Sequence, residues 1–147
     1  MVSLREFDES DAAALRDGQY PGADTEDIGA MIRDWKEKTY QGKYFEMLAV
    51  TDDGRVVGSV SLYERSANIA SAGIEIFPAE RRKGYAEEAM RLILERAAGR
   101  GFRAVQDQVA GDNAASIALH EKTGFETDGY VYTNARGREV LLYTAFL

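Results

Sequence analysis

Residues 74–98 predict a strand, a basic turn and a helix in immediate succession, and this order limits the fold more than any other part of the chain. An apolar run stops at Pro78, an Arg-Arg-Lys-Gly turn follows at residues 81–84, and apolar residues then recur at helical spacing from Ala86 to Ala97. The first N–H groups of a helix have no acceptor within it and lie at the positive end of its dipole. A turn of this kind can therefore bind a phosphate or pyrophosphate, although its charges could equally be solvated.

The rest of the chain extends this unit into a mixed sheet. A first strand should end near Phe7, a meander of three strands should occupy about residues 44–77, and further strands are expected at about 102–109, 130–133 and 138–146. Helices are expected from Asp8 to Leu15, with Gly18 as the stop, from Thr25 onward, and from Asn113 to Gly124. We therefore predict one α/β (α+β) domain, residues 1–147, with a parallel central pair, a mostly antiparallel sheet of about six or seven strands, and about four helices.

Alternation along the meander assigns side chains to the two faces of the sheet. In its second strand Val56 should share a face with Val60, and Val57 should lie on the other face. In its third strand Glu75 should lie beside Gly73 and other small residues, as a lone carboxylate. Glu75 is thus a candidate base, although a strand residue that faces solvent or pairs with Arg or Lys would look the same.

Composition limits the partners and the compartment. The net charge of -7 argues against general nucleic-acid binding, and it weakly favours cationic partners or merely maintains solubility. The absence of cysteine excludes disulfides and a thiolate zinc site. The N-terminus lacks a signal-peptide apolar region, and no apolar run approaches the ~20 residues that span a membrane, so we expect a soluble, cytoplasmic protein.

A second motif lies at residues 113–125, which read N-A-A-S-I-A-L-H-E-K-T-G-F. In a helix, Asn113, Ser116 and His120 lie on one stripe and could face one groove. This motif resembles the second signature of the GNAT superfamily of N-acetyltransferases, usually N-x-x-[AS]-x-x-L-Y-E-K-x-G-F. The basic turn, R-x-x-G-x-A from Arg81 to Ala86, resembles the acyl-CoA pyrophosphate loop of the same superfamily. Their order and spacing, and the order of strands and helices over essentially the whole chain, also match.

The resemblance implies a site. The strand that ends at Phe77 and the strand that starts near Arg103 should splay apart, with the pantetheine arm of acetyl-CoA in the gap and no metal. The amine acceptor should enter from the side of the first two helices, where Tyr20 and Asp24 are candidates by position. The residues implied to bind acetyl-CoA are Ile76, Arg81, Arg82, Lys83, Gly84, Tyr85, Ala86, Asn113 and Ser116, and the candidate catalytic residues are His120 and Glu75.

Two positions depart from the family pattern. His120 stands where the family usually has the tyrosine that protonates the leaving thiolate, and Gln108 stands where some relatives have a catalytic Glu. His120 could be a cation whose pKa is raised by a carboxylate such as Glu121 or Glu75, a neutral hydrogen-bond donor to the sulfur, or a partly buried histidine with only local bonds.

The predicted function is transfer of an acetyl group from acetyl-CoA to a primary amine of a small molecule or a protein N-terminus. The alternatives are a non-catalytic, CoA-binding regulatory module and a protein-interaction domain. The acceptor is not identified by the sequence. An exposed edge strand near the C-terminus would permit a homodimer.

Overall fold

Eight strands form one mixed sheet in the computed structural model, which describes residues 1–147. They are β1 (Val2–Glu6), β2 (Thr39–Tyr40), β3 (Lys43–Asp52), β4 (Arg55–Ser66), β5 (Ile69–Ile76), β6 (Ala104–Ala110), β7 (Tyr132–Thr133) and β8 (Glu139–Phe146). The strand order is β1-β3-β4-β5-β6-β8-β7, and β2 pairs with the end of β3. Only β5 and β6 run parallel. The predicted mixed, mostly antiparallel sheet is confirmed, and the strand missed by the sequence is β2, which is too short to show a period.

Four α-helices flank the sheet, as predicted. They are α1 (Ala12–Gln19), α2 (Thr25–Trp35), α3 (Tyr85–Gly99) and α4 (Ala114–Lys122). The expectation that the first helix runs through Leu15 and is stopped by Gly18 is wrong, because α1 continues through Gly18 to Gln19. A Cβ atom at Gly18 would lie 2.3 Å from the ring of Phe77, so this glycine allows the helix to approach the end of β5 closely.

The helices divide into two layers with a core on each face of the sheet. The larger core lies between the sheet and α3, and it includes Leu48, Leu62, Met90 and Ile93. The smaller core lies under α1 and α2 and includes Leu15, Ile32 and Phe77. None of the helices combines the length and the apolar character needed to cross a membrane.

A β-bulge in β4 changes which side chains face each core. Gly58 and Val56 pair with consecutive residues of β3, so Val57 is an extra residue in the ladder. Val57 consequently joins Val60 in the core beneath α3, whereas Val56 packs beneath α1 and α2. The faces predicted for Val56 and Val57 are wrong, because a bulge interrupts the period of two.

The central parallel pair opens into a gap. Strands β5 and β6 pair only through two residues each, and the last pair is Ala70 with Val105. Beyond that pair, β5 stays bonded to β4 as far as Ile76, and β6 stays bonded to β8 as far as Ala110. The predicted splay is confirmed. Because α3 follows β5 and α4 follows β6, both helices begin on the side toward which the gap opens.

A buried carboxylate fastens α3 to the sheet at the far end of this helix. The side chain of Glu46 in β3 is 1% exposed and accepts two 2.7 Å hydrogen bonds from Arg96, with a further bond from Arg100. Burial raises the pKa of Glu46, but the bonds from Arg96 and Tyr44 outweigh it and lower the pKa to about 2. Burial and the bond to Glu46 raise the pKa of Tyr44 to about 12.

Candidate active site

We call the point where the pairing of β5 with β6 stops, after Ala70 and Val105, the vertex of the gap. Just beyond the vertex, a side chain rather than a backbone bond joins the two strands. Asp107 of β6 is buried, and its Oδ1 accepts hydrogen bonds from the N–H of Ala72 at 2.9 Å and from the hydroxyl of Ser71 at 2.8 Å. The N–H of Ala72 therefore points toward β6, and the carboxylate takes the place of a backbone acceptor there. Asp107 thus holds β6 at the distance of a side chain from β5.

Beyond Ala72, the peptide groups of β5 present an unpaired edge to the gap. Peptide groups two residues apart point to the same side of a strand, so those of Ile74 and Ile76 face the gap. The carbonyl of Ile76 accepts a 3.1 Å hydrogen bond from Nε of Arg81. The N–H and C=O of Ile74 and the N–H of Ile76 are the polar groups that β5 offers to a ligand in the gap.

The turn before α3 offers a second set of backbone donors. Arg82 and Gly84 both have left-handed backbone conformations, with φ of 66° and 82°. None of the six N–H groups of residues 82–87 has an acceptor in the protein, and the first bonded amide is that of Glu88. A Cβ atom at Gly84 would have no atom within 4 Å, so the turn is open on this side. Six donors at the positive end of a 15-residue helix fit a pyrophosphate.

The three basic side chains of the turn have different partners. Arg81 bonds to the carbonyl of Ile76 and, at 3.2 Å, to the carboxylate of Glu75, and so fixes the turn to the end of β5. Lys83 pairs with Glu80 at 3.2 Å. Arg82 is exposed and makes no ion pair or side-chain hydrogen bond. Arg82 is therefore the cation of the turn that is available to an anion without breaking an existing pair.

Tyr85 and Ala86 face inward from the first turn of α3. The ring of Tyr85 is buried, and its hydroxyl donates a 2.7 Å hydrogen bond to Asp52 at the end of β3. Ala86 packs against the core beneath α3. These two residues can reach a ligand only through their backbone N–H groups.

Asn113 and Ser116 build the start of α4. The side chain of Asn113 caps the helix by accepting a 3.1 Å hydrogen bond from the N–H of Ser116. The hydroxyl of Ser116 lies 3.4 Å from Nδ1 of His120. Asn113 therefore holds the loop between β6 and α4, and its amide N–H₂ group remains free for a ligand in the gap.

His120 is buried, and both ring nitrogens face oxygen acceptors. Nδ1 lies 2.7 Å from the carbonyl oxygen of Ser116, and Nε2 lies 2.8 Å from Oδ2 of Asp107. A carbonyl oxygen and an ionised carboxylate only accept hydrogen bonds, so this geometry favours a proton on each nitrogen, that is, the imidazolium form. Burial lowers the pKa of His120, but the bonds to Asp107 and to the Ser116 carbonyl outweigh it, and the net shift is upward.

The expectation that Glu121 or Glu75 supplies the carboxylate beside His120 is wrong, because Asp107 does so. Sequence reasoning missed Asp107. Alternation carried a signal for it, since Asp107 lies between Val105 and Val109 on the buried face of β6. A charged residue in that position needs a partner, and the partner is His120.

Glu75 lies outside this network. It occupies the face of β5 that looks toward α1 and α2, its side chain is 50% exposed, and it pairs with Arg81. The structure therefore places Glu75 at the mouth of the gap and His120 behind its vertex, and it does not bring the two side chains together.

The two residues predicted for the acceptor side have structural partners. Asp24 caps α2 by accepting a 2.9 Å hydrogen bond from the N–H of Glu26. The hydroxyl of Tyr20 accepts a bond from Gln19, whose side-chain oxygen in turn accepts one from Ser59 in β4. The surface between α1 and β4 is thus polar and ordered.

Strands splayed around a gap, with the free N–H groups of a helix at its mouth, are the arrangement expected of a GNAT acetyltransferase. The family described as "Acetyltransferase (GNAT) domain" matches residues 2–126, and the chain belongs to this family. The SPbeta prophage-derived uncharacterized N-acetyltransferase YokL of Bacillus subtilis (strain 168) is 30% identical over 105 residues, which are 67% of this chain and 57% of that relative. The match thus spans little more than half the length of YokL.

Solved structures show the same fold at low identity. RimL, a ribosomal L7/L12 alpha-N-protein acetyltransferase in complex with coenzyme A, superposes with a TM-score of 0.82 at 18% identity, over 99% of this chain and 94% of that chain. Spermidine N-acetyltransferase from Vibrio cholerae, in complex with CoA and spermine, gives a TM-score of 0.78 at 18% identity, over 99% and 95% of the two chains.

Proposed function

We propose that this protein transfers an acetyl group from acetyl-CoA to a primary amine of a small molecule or a protein N-terminus. The observation that carries the proposal is the set of six unbonded N–H groups at residues 82–87, next to the unpaired edge of β5. Both structural relatives described above were solved with coenzyme A. Acetyl-CoA is a thioester, which an unprotonated amine can attack directly.

The backbone performs most of the proposed work. The N–H groups of residues 82–87, with Arg82, would bind the pyrophosphate, because charge-assisted bonds to phosphate oxygens are strong. The peptide groups of Ile74 and Ile76 would bind the pantetheine arm as a neighbouring strand would. An N–H of β5 in the gap would also polarise the thioester carbonyl.

The two candidate catalytic residues, His120 and Glu75, differ in their access to the gap. Both N–H groups of His120 are engaged, and Oδ1 of Asp107 already accepts hydrogen bonds from Ser71 and Ala72, so a proton from Nε2 could reach Oδ2 but not the gap. His120 would therefore hold Asp107 in place at the vertex, and the leaving thiolate would take the proton that the attacking amine releases. Glu75 lies on the acceptor side, but its carboxylate is already paired with Arg81. We propose that Glu75 positions the protonated amine before a water removes its proton.

Four further predictions stay with the proposal. The strand β7 lies at one edge of the sheet and would permit a homodimer. That the reaction uses no metal is a second such prediction. A cytoplasmic location and the absence of nucleic-acid binding also remain predictions.

Coenzyme A binding by Gly84→Glu and Gly101→Glu variants tests the pyrophosphate assignment. Both glycines have positive φ, both would point a new side chain into open space, and they lie at opposite ends of α3. The strain is therefore matched, and only the location of the new charge differs. Calorimetry should show the dissociation constant for coenzyme A rising at least tenfold, about 1.4 kcal/mol, for Gly84→Glu only. A folded Gly84→Glu variant with wild-type affinity would refute the assignment.

Thiol release from acetyl-CoA with a broad panel of amines tests the transfer itself. Turnover of any amine supports the proposal. Tight binding of coenzyme A without turnover of any amine would instead identify a CoA-binding module, and the absence of binding would leave a protein-interaction domain.

A further inference from the structure

A pocket of about 440 Å³ lies on the acceptor side of the gap vertex, and we call it the arginine pocket. It is lined by Tyr63, Arg65, Ser71, Gln108 and Arg136. Ser71 connects the arginine pocket to the vertex, because its hydroxyl donates to Oδ1 of Asp107. A molecule in this pocket therefore lies beside the unpaired edge of β5.

The charge of the arginine pocket is opposite to that of the protein. The chain has 25 Asp and Glu residues against 18 Lys and Arg, yet the pocket has two arginines in its lining and no carboxylate. Neither Arg65 nor Arg136 forms an ion pair, whereas most other arginines of the chain do. Two guanidinium groups without counter-ions repel each other, so an anion between them would be stabilised.

Both arginines are held in place by their backbones and neighbours. The guanidinium of Arg65 donates to the carbonyl of Gln106 at 3.3 Å, which leaves most of its N–H groups free. Arg136 lies in the turn between β7 and β8, which is fixed to β6 by a 3.1 Å hydrogen bond from Asn134 to Gln108. Gln108 is the position at which some relatives have Glu, and here its amide anchors the turn without adding a negative charge.

We infer that the arginine pocket binds an oxyanion carried by the acceptor, so that the substrate is a small amine that also bears a carboxylate or a phosphate. The inference rests on the proposed acetyl transfer and specifies its substrate class. The anionic group would lie between Arg65 and Arg136, and the amine would extend past Ser71 toward Ile74 and Glu75. The weak expectation of cationic partners, drawn from the net charge, does not describe this pocket. A polyamine such as spermidine would meet like charges here.

Matched amines test the substrate class. The members of each pair differ in the anionic group: threonine against threoninamide for a carboxylate, and O-phosphoethanolamine against ethanolamine for a phosphate. Because this change also alters the amine pKa, rates are compared per unprotonated amine. Spermidine and a peptide with an N-terminal serine complete the panel. With acetyl-CoA saturating, kcat/KM should be at least tenfold higher for the anionic member of one pair, and the pair that responds identifies the group.

Arginine variants locate the effect. Arg65→Gln and Arg136→Gln should each raise the KM of the anionic amine about tenfold and leave its neutral partner and the affinity for coenzyme A unchanged. Arg138→Gln is the matched control, because Arg138 lies in the same turn but lines a different cavity, with Ala110 and Asp112. Titration with inorganic phosphate, followed by the arginine Nε–H NMR signals, should show saturable shifts in the wild type that Arg65→Gln and Arg136→Gln abolish.

The outcomes separate this inference from the proposed function. If spermidine, a neutral amine or the peptide is acetylated best and the arginine variants have no effect, the inference is wrong and the acetyl transfer stands. If no amine is acetylated but phosphate binds at Arg65 and Arg136, the acetyl transfer is wrong and the oxyanion pocket stands.

Discussion

Replacing Asp107 with Asn should remove the positive charge from His120. An asparagine can keep its Oδ1 on the N–H of Ala72 and present its N–H₂ group to Nε2 of His120. Nε2 must then be an acceptor, while Nδ1 still donates to the carbonyl of Ser116. The imidazole would be neutral, and the pKa of His120 should fall below its wild-type value because the charged partner is lost.

Linkage gives the size of the effect on stability. The pKa of His120 in the folded protein is raised above the ordinary value of 6.5, so between these two values the folded state binds one more proton than the unfolded state. The contribution of His120 to the free energy of unfolding should therefore be fully present below pH 6.5. As the pH rises from 6.5 to the pKa of the folded state, this contribution should fall by at most about 1.4 kcal/mol per pH unit. Asp107→Asn should lose this slope, whereas Asp107→Ala, which leaves an unpaired buried cation, should cost about 3–5 kcal/mol.

His120 is the only histidine of the chain, so selective ¹⁵N-histidine labelling gives a single ring whose protonation and tautomer can be read directly by NMR. Urea unfolding of wild type and Asp107→Asn across the same pH range gives the slope, and the difference between them cancels the shared contribution of other groups. Tyr143 faces the ring from β8, and burial and then Glu121 raise its pKa, so it stays uncharged in this range. A wild-type His120 that is neutral at pH 7 would refute the ion pair.

Two further predictions concern packing and acid stability. Gly18→Ala should destabilise the protein by about 1–3 kcal/mol, because the new Cβ atom would clash with Phe77. Gly29→Ala in α2, where the nearest atom is 3.8 Å away, should stabilise the protein by about 0.5–1 kcal/mol. Thermal unfolding of both variants compares the two effects, and equal shifts in Tm would contradict the close packing at Gly18. The pKa of Glu46 is lowered from 4.5 to about 2, so its contribution to stability is present above pH 4.5 and is lost as the pH falls toward 2. The stability advantage of wild type over Glu46→Gln should therefore shrink by about 3 kcal/mol over that window. A constant advantage would show that the pair with Arg96 is not ionic.

The sequence predicted the parts of the fold that depend on local pattern. The turn at residues 81–84 and α3 followed from spacing and composition alone, and the helix predicted to start near Asn113 is α4, which Asn113 caps. Failures arose where a tertiary contact overrides a local rule. Gly18 resembles a helix stop, but it lies within α1, where the absence of a side chain permits close contact with Phe77. The bulge at Val57 cannot be recognised from the alternation of apolar and polar residues.

The site divides in the same way. The residues of the basic turn could be identified because one segment carries them all. Alternation marks Asp107 as a buried carboxylate, but its pairing with His120 depends on how α4 packs against β6, which no local pattern shows. Arg65 and Arg136 are far apart in the sequence, and only the fold of the β7–β8 turn over β6 brings them to one pocket.

The short pairing between β5 and β6 also divides the sheet mechanically. Five strands lie on one side of the vertex and three on the other, and the ladder between them contains only two residue pairs. The hydrogen bonds from Ser71 and Ala72 to Asp107 add one further connection between the two groups of strands. Because local opening follows the weakest cooperative boundary, the amide hydrogens bonded between β5 and β6 should exchange when the three-strand unit with α4 rotates away from the rest, while the amides within each folded unit stay protected. A ligand that bonds to both β5 and β6 would hold the two units together. Its affinity would then depend partly on how far the two units are separated in the free protein.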